Sequence, residues 1–203
     1  MQNFVVTIGR QYGSGGKEIG KALADRLGIK CYDKTLIELA AQKSGFSPDT
    51  IEKIDEKSAN PLFVPIAPNY YGNIVGGNFE FSMSDKLFLI ESEIIKNIAI
   101  NESAVIVGRC GNEVLKGMPH VLNVFIYAPI EDRVKRIMAR QNLDEKKALS
   151  MINKVDKKRE QYFNFYTGKK WGVNDYHLSV SSTLGINPIV EMIVTLLSSE
   201  KFT

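Results

Sequence analysis

Glycines at 9, 13, 15 and 16 are followed at once by Lys17 and Glu18. Glycine allows positive φ and lets backbone N–H groups converge without a Cβ in the way. Placed between a strand and a helix N-terminus, such a stretch cradles phosphate. Gly13, Ser14, Gly15 and Gly16 are the expected cradle, and Lys17 is its cation. The register is unusual. The phosphate-loop pattern Gly-x-x-x-x-Gly-Lys-Ser/Thr puts lysine directly after the last loop glycine and a hydroxyl after that. Counted from Arg10, the lysine position holds Gly16, Lys17 follows one place late, and Glu18 stands where the hydroxyl is expected. Asp33, Arg109 and a stripe of Arg133, Arg136 and Arg140 complete the residues suited to phosphoryl transfer. That reaction needs phosphates held in line and charge neutralised, and a guanidinium fork binds phosphate oxygens in pairs.

These residues must be delivered to one edge. Val5 to Ile8 reads as a buried strand, and Ile19, Leu23 and Leu27 carry the helical period up to a stop at Gly28. Ile29 to Tyr32 makes a second strand ending at Asp33, and Thr35 to Lys43 a helix, with another opening at Ser47-Pro48. Ser84 is the expected cap of a long helix through Leu87, Ile90, Ile94 and Ile98. Ala104 to Val107 is a buried strand that delivers Gly108-Arg109 at its carboxyl end. Val121 to Tyr127 leads into a helix from Pro129, and Asp144 starts a long helix through Ala148, Ile152, Val155 and Tyr162. Tyr176 to Ser182 forms the last strand, and Asn187-Pro188 caps the last helix. Strands alternating with helices give an α/β fold with a parallel sheet of about five strands and ligands at their carboxyl ends.

Each candidate has a plainer alternative. The arginine stripe also fits a solvated helix face, Asp33 a helix cap, and Arg109 a structural ion pair. Lys169-Lys170-Trp171 reads as a solvated loop or as a grip on phosphate or base. His120 and His177 read as structural or surface residues. Residues 57–82 mix breakers such as Pro61, Pro65, Pro68 and Gly72 with apolar Phe63, Tyr70, Tyr71 and Phe79. This stretch is a substrate-covering lobe, a contact with another subunit that would make a homodimer, or an excursion over the core.

With 44% hydrophobic and 24% charged residues over 203 positions, the composition suits one globular domain spanning 1–203. A net charge of +3 gives no general pull toward nucleic acid or a membrane. The first residues lack a signal pattern, so the expectation is a cytoplasmic protein with no nucleic-acid or membrane partner. Cys31 and Cys110 supply neither a disulfide framework nor a metal-ligand set, and no protein metal site is expected.

On these residues the chain resembles the cytidylate kinases, more closely the cytidylate kinase-like branch of the P-loop nucleoside monophosphate kinases. The glycine loop with Lys21-Ala22-Leu23-Ala24 is similar to that family's first loop and helix. Tyr32-Asp33 is similar to the start of its Asp-Thr-Gly-x-x-Tyr-Arg segment, and Gly108-Arg109 to its Gly-Arg-Asp. Phe125 to Ala128, running through Glu131, Arg133 and Arg136, is similar to its strand and lid-entry helix. The resemblance implies a three-layer P-loop kinase fold with helices on both faces, a lid over 140–172 and a mobile acceptor-side segment. It implies ATP with Mg2+, Arg109 on the acceptor monophosphate, Arg133 and Arg136 near the ATP phosphates, and Asp156 to Arg159 in the lid. Asp33 and Arg159 join Arg109 on the substrate side. Leu39 stands where the family's segment ends in Arg, and Cys110 replaces the Asp after Gly-Arg.

The expected function is an ATP-dependent kinase of a nucleoside monophosphate, CMP or dCMP, acting by direct in-line transfer. Glu18 would hold Mg2+ through water. The alternatives are a kinase of another small metabolite and a nucleotide-binding regulatory protein without turnover.

Overall fold

The computed structural model describes residues 3–33, 35–44 and 82–199. Within them the order is β1 (Val5–Arg10), α1 (Gly16–Leu27), β2 (Lys30–Tyr32), α2 (Thr35–Ser44), α3 (Met83–Asn101), β3 (Ala104–Val107) and α4 (Gly111–Val114). Then come β4 (Val121–Tyr127), α5 (Ile130–Gln141), α6 (Glu145–Thr167), β5 (Leu178–Ser181) and α7 (Ile186–Leu197). The helix expected from Ser47-Pro48 and the apolar stretch from 57 to 81 lie outside the described residues.

The five strands form one sheet in the order β2-β3-β1-β4-β5, parallel throughout. β1 is central, with Ile8 opposite both Val107 and Val124. A central parallel strand is covered on both faces, which is why Val5, Val6 and Ile8 form an almost unbroken apolar run. Strand alternation then divides the core. Ala104 and Ile106 face a layer built from Leu36 and Ala40 of α2, Leu87 and Ile95 of α3, and Phe163 and Tyr166 of α6. Val105 and Val107 face Ile19 and Leu23 of α1 with Ile189 and Ile193 of α7. A third, small cluster joins Val134 and Ile137 of α5 to Ala148 and Ile152 of α6, with Tyr12 of the glycine loop packed against it. The loop is thereby tied to the α5–α6 pair.

Several element ends differ from the sequence expectation. Ser82, not Ser84, caps α3: its Oγ accepts from Asp85 N, and the Asp85 carboxylate accepts from Ser82 N, both at 3.1 Å. This reciprocal box needs an acidic residue three positions on, which Ser82 has. Buried Asp85 also accepts a 3.0 Å hydrogen bond from Tyr166 Oη, joining α3 to α6. α7 starts at Ile186 after Gly185, so Pro188 falls inside the first turn, where its missing N–H has no carbonyl to serve. β2 and β5 are shorter than expected, at Lys30–Tyr32 and Leu178–Ser181. The Gly28 stop of α1 and the Asp144 cap of α6 stand as read.

After β1 the chain crosses toward β2, and after β3 toward β4. Such a reversal opens a crevice at the carboxyl ends of the central strands. The glycine loop leaves β1 there, and Gly108-Arg109 leaves β3.

Candidate active site

The loop between β1 and α1 is held from several sides. Gly13 and Gly15 take positive φ, 77° and 84°. Buried Ser14 donates its hydroxyl to Gln11 O at 2.8 Å, and Tyr12 N donates to Asp156 Oδ1 at 2.7 Å. Gly15 caps α1 with no side-chain hydrogen bond, which leaves first-turn amides and the positive end of the helix dipole for an anion.

The arginines of α5 separate into different tasks. Arg136 Nη1 donates to Gly13 O at 3.2 Å and to Ser182 Oγ at 3.0 Å, beside the loop. Arg140 pairs with Glu18 at 3.4 Å. Arg133 is buried and pairs with Asp156 at 2.5 Å, its Nη1 also lying 3.4 Å from Tyr12 O. Asp156 thus holds Tyr12 N and Arg133 together and braces the loop from behind.

The acidic and basic groups on the front are paired as well. Lys17 Nζ lies 2.7 Å from Asp33 Oδ2, and Arg10 Nη2 lies 3.9 Å from Asp33 Oδ1. Arg109 Nη1 is 3.2 Å from Glu91, a carboxylate of α3 only 1% exposed. Gly108, Arg109 and Cys110 take positive φ in succession, 83°, 58° and 52°. The two non-glycine members store about 1–3 kcal/mol of backbone strain each. Arg159 Nη1 donates to Arg10 O at 3.1 Å, and its guanidinium lies 5.5 Å from the centre of the Tyr12 ring. Burial, and then the like charge of Arg10, push Arg159 down to about 9. A guanidinium holds its proton strongly, so an anion beside it relieves that pressure.

Two cavities result. One, of about 730 Å³, is lined by the loop from Arg10 to Gly13, by Gly15 to Glu18, and by Asp33, Arg109, Arg136, Arg140 and Arg159. The other, of about 510 Å³, has Tyr162, Phe163, Trp171 and Tyr176 among its walls, with Asn112, Lys154 and Lys158. Arg10, Tyr12, Arg109 and Arg159 line both. Arg133 lines neither. Trp171 packs edge-on against Phe125, and Tyr176 donates to Asn112 Oδ1 at 3.4 Å. Asn112 Nδ2 is buried with no hydrogen-bond partner among the described residues. Burial pushes the Cys110 thiol and the Tyr176 hydroxyl up, so both are neutral near pH 7.

Asp33 and Glu18 offer carboxylate oxygens on the loop cavity, a donor type that suits Mg2+ shared with waters and phosphate oxygens. Among the described residues no three His, Cys, Asp or Glu side chains converge on a protein-only metal site.

Arg10, Tyr12, Asn112 and Tyr176 are site residues that sequence reading did not single out, while Trp171 reads as part of a solvated loop or of a grip on phosphate or base, and Asp156 as part of the lid. For Arg10 a signal existed in Gly16 and Gly108, two glycines that turn out to clear space for one side chain. For the aromatic wall the signal was partial: Trp171 admits the grip on phosphate or base, whereas Tyr176, expected to open the last strand, precedes β5 and lines the cavity instead.

Comparison with known proteins extends the picture. The model of the cytidylate kinase-like family matches residues 5–184. The crystal structure of an uncharacterized protein from Eubacterium ventriosum ATCC 27560 is 28% identical, with 98% of this chain and 100% of that chain covered and a TM-score of 0.70. Shikimate kinase from Bacteroides thetaiotaomicron is 13% identical with a TM-score of 0.56, covering 97% of this chain and 99% of that one. Shikimate kinase from Acinetobacter baumannii, solved with shikimate, is 15% identical with a TM-score of 0.52, covering 100% and 97%. At such identities the shikimate kinases share the P-loop kinase fold. No curated protein sequence matches this chain. Among the described residues no helix is long and apolar enough to cross a membrane.

Proposed function

The chain belongs to the cytidylate kinase-like family, and we propose that it is an ATP- and Mg2+-dependent phosphotransferase acting on a nucleoside monophosphate, CMP or dCMP. The observation that carries this reading is the meeting of two cavities at Arg10, Tyr12, Arg109 and Arg159. The loop cavity takes the ATP phosphates on the amides around Gly13, Ser14, Gly15 and Gly16, with Arg136 beside them and Lys17 at the rim. The aromatic cavity takes the acceptor. Tyr162, Phe163, Trp171 and Tyr176 offer faces to a planar base, Asn112 Nδ2 offers a donor to its edge, and Arg109, steadied by Glu91, binds the monophosphate.

An oxygen of the acceptor phosphate forms the new bond to the γ-phosphorus while the bond to the β,γ-bridging oxygen breaks. The products are ADP and a nucleoside diphosphate. The acceptor oxygen is already ionised, so no general base is required. Catalysis rests on alignment and charge neutralisation. Mg2+, when bound, shields phosphate charge, and Asp33 and Glu18 are the carboxylates that would hold its waters. Arg133 acts through Asp156 and the Tyr12 backbone by keeping the loop in shape. Residues 140–172 bring Arg140 and Arg159 to the loop cavity and Asp156 behind the loop, covering the phosphates from that side.

Purified protein supplied with MgATP and a panel of CMP, dCMP, UMP, AMP and small carboxylate metabolites tests the proposal. ADP formed in step with CDP from CMP, or dCDP from dCMP, is the expected result. ADP formed with a metabolite alone shifts the acceptor class. Tight ATP binding with no productive acceptor overturns the kinase reading in favour of a regulatory nucleotide-binding protein.

A further inference from the structure

We propose that Arg10 is a catalytic residue: it contacts the terminal phosphates of the bound nucleotide in the role that the phosphate-loop pattern gives to a lysine at position 16. The inference rests on the reading of the loop as a nucleotide-phosphate cradle and adds which side chain supplies its cation.

The steric relation between positions 10 and 16 is mutually exclusive. A Cβ built on Gly16 would lie 2.6 Å from Arg10 Cβ and 3.1 Å from Arg10 Cγ. Non-bonded carbons settle at about 3.5–4.0 Å, so without a backbone shift a side chain at 16 and a side chain at 10 exclude one another, whatever their types. A lysine at 16 would need position 10 to be bare, and in this chain the side chain stands at 10. Gly108 is its other neighbour. A Cβ there would meet the Arg10 guanidinium, the flexible end of that side chain. Gly16 at the start of α1 and Gly108 after β3 thus both lie against the Arg10 side chain. Its stem passes the loop and its guanidinium arrives at the carboxyl edge of the sheet.

The destination fits phosphate. Arg10 lines both cavities, whereas Lys17 lines only the loop cavity. A cation common to both lies where a group in transit between donor and acceptor must pass. The Arg10 side chain is 22% exposed, open enough to meet a ligand, and its Nη2 stands 3.9 Å from Asp33. The Asp33 carboxylate has a closer cation in Lys17, at 2.7 Å. Arg159 adds a second guanidinium, and the repulsion between the two helps push it down to about 9. A phosphate bound by both removes that repulsion. An arginine also has an advantage over lysine here, since its planar fork can hold two phosphate oxygens at once.

The test compares wild type, Arg10→Lys, Arg10→Met and the swap Arg10→Gly with Gly16→Lys, all as full-length protein. Each is titrated with MgATP and with AMP, and folding is checked by thermal unfolding. Wild type should bind ATP more tightly than AMP. Arg10→Met should lose roughly 10- to 100-fold of ATP affinity and much less for AMP, with Arg10→Lys in between. The swap, which reinstates the lysine in the vacated space, should recover part of the loss. If Arg10→Met does not fold, the gap between Arg10→Lys and the swap carries the comparison. Loss of affinity equal for ATP and AMP, or no loss at all, overturns the role of Arg10 while leaving the cradle standing. Wild-type protein that binds ATP no better than AMP overturns both.

Discussion

Asp156 is the residue whose removal should do most damage for its size. Its two carboxylate oxygens serve Tyr12 N at 2.7 Å and Arg133 at 2.5 Å. The paired side chains are only 17% and 10% exposed. Asp156→Ala strands a buried guanidinium and a loop amide together. Breaking a buried pair in this way costs about 3–5 kcal/mol. Both side chains keep some contact with water, so the lower end, about 3 kcal/mol, is the working value. For a domain of this size the melting temperature should fall by roughly 6–12 °C. The loop loses its rear support as well, so the KM for ATP should rise. Thermal unfolding of wild type, Asp156→Ala, Arg133→Met and the double variant forms a complete cycle. Removing both partners should cost clearly less than the sum of the single losses, because no buried charge is then left alone. Additive losses, or a single variant that melts within about 2 °C of wild type, would refute the brace.

Three further outcomes are expected. Tyr166→Phe removes the donor to buried Asp85 and should lower stability by about 2 kcal/mol, the range for a hydrogen bond to a charged group, read by urea unfolding. Trp171→Ala should raise the acceptor KM on the order of tenfold, the worth of one stacked base, and leave the ATP KM little changed in steady-state kinetics. Glu102 is held below its ordinary range first by its hydrogen bond with Lys30 and then by Tyr32. A carboxylate lowered on folding contributes stability above its unfolded pKa, and that contribution disappears as pH falls through the folded value. Glu102→Gln should therefore show a flatter melting curve against pH than wild type between roughly pH 5 and 3, the window of an acidic group.

Much of the scaffold could be read from residue order. Val5 to Ile8, broken only by Thr7, and Ala104 to Val107 are short, apolar and followed by glycine, a pattern that suits a buried parallel strand in a chain of alternating helices. The carboxyl edge follows from such units, so Asp33 and Arg109 could be placed on the same edge as the glycine loop in advance, but the order β2-β3-β1-β4-β5 could not. The arginine stripe was legible as a face, since three- and four-residue spacing fixes which residues share it. What each arginine touches was not. Arg133, Arg136 and Arg140 are near neighbours on α5, yet they meet Asp156, Gly13 with Ser182, and Glu18.

Local sequence determined what depends on neighbours within a few positions: strand, turn and helix, the positive φ that glycine permits, and a helix N-terminus ready for an anion. Tertiary structure alone decided which charges are spent on one another. Lys17 meets Asp33 across β2, Arg159 reaches the Arg10 carbonyl from α6, and the Arg10 side chain passes through space left by Gly16 and Gly108. An ion pair is a competition among all groups that folding brings within a few ångströms, and space vacated by a glycine belongs to whichever side chain packs there. Neither is a property of spacing along the chain, which is why the misplaced lysine was visible in the sequence and the arginine that fills its corner was not.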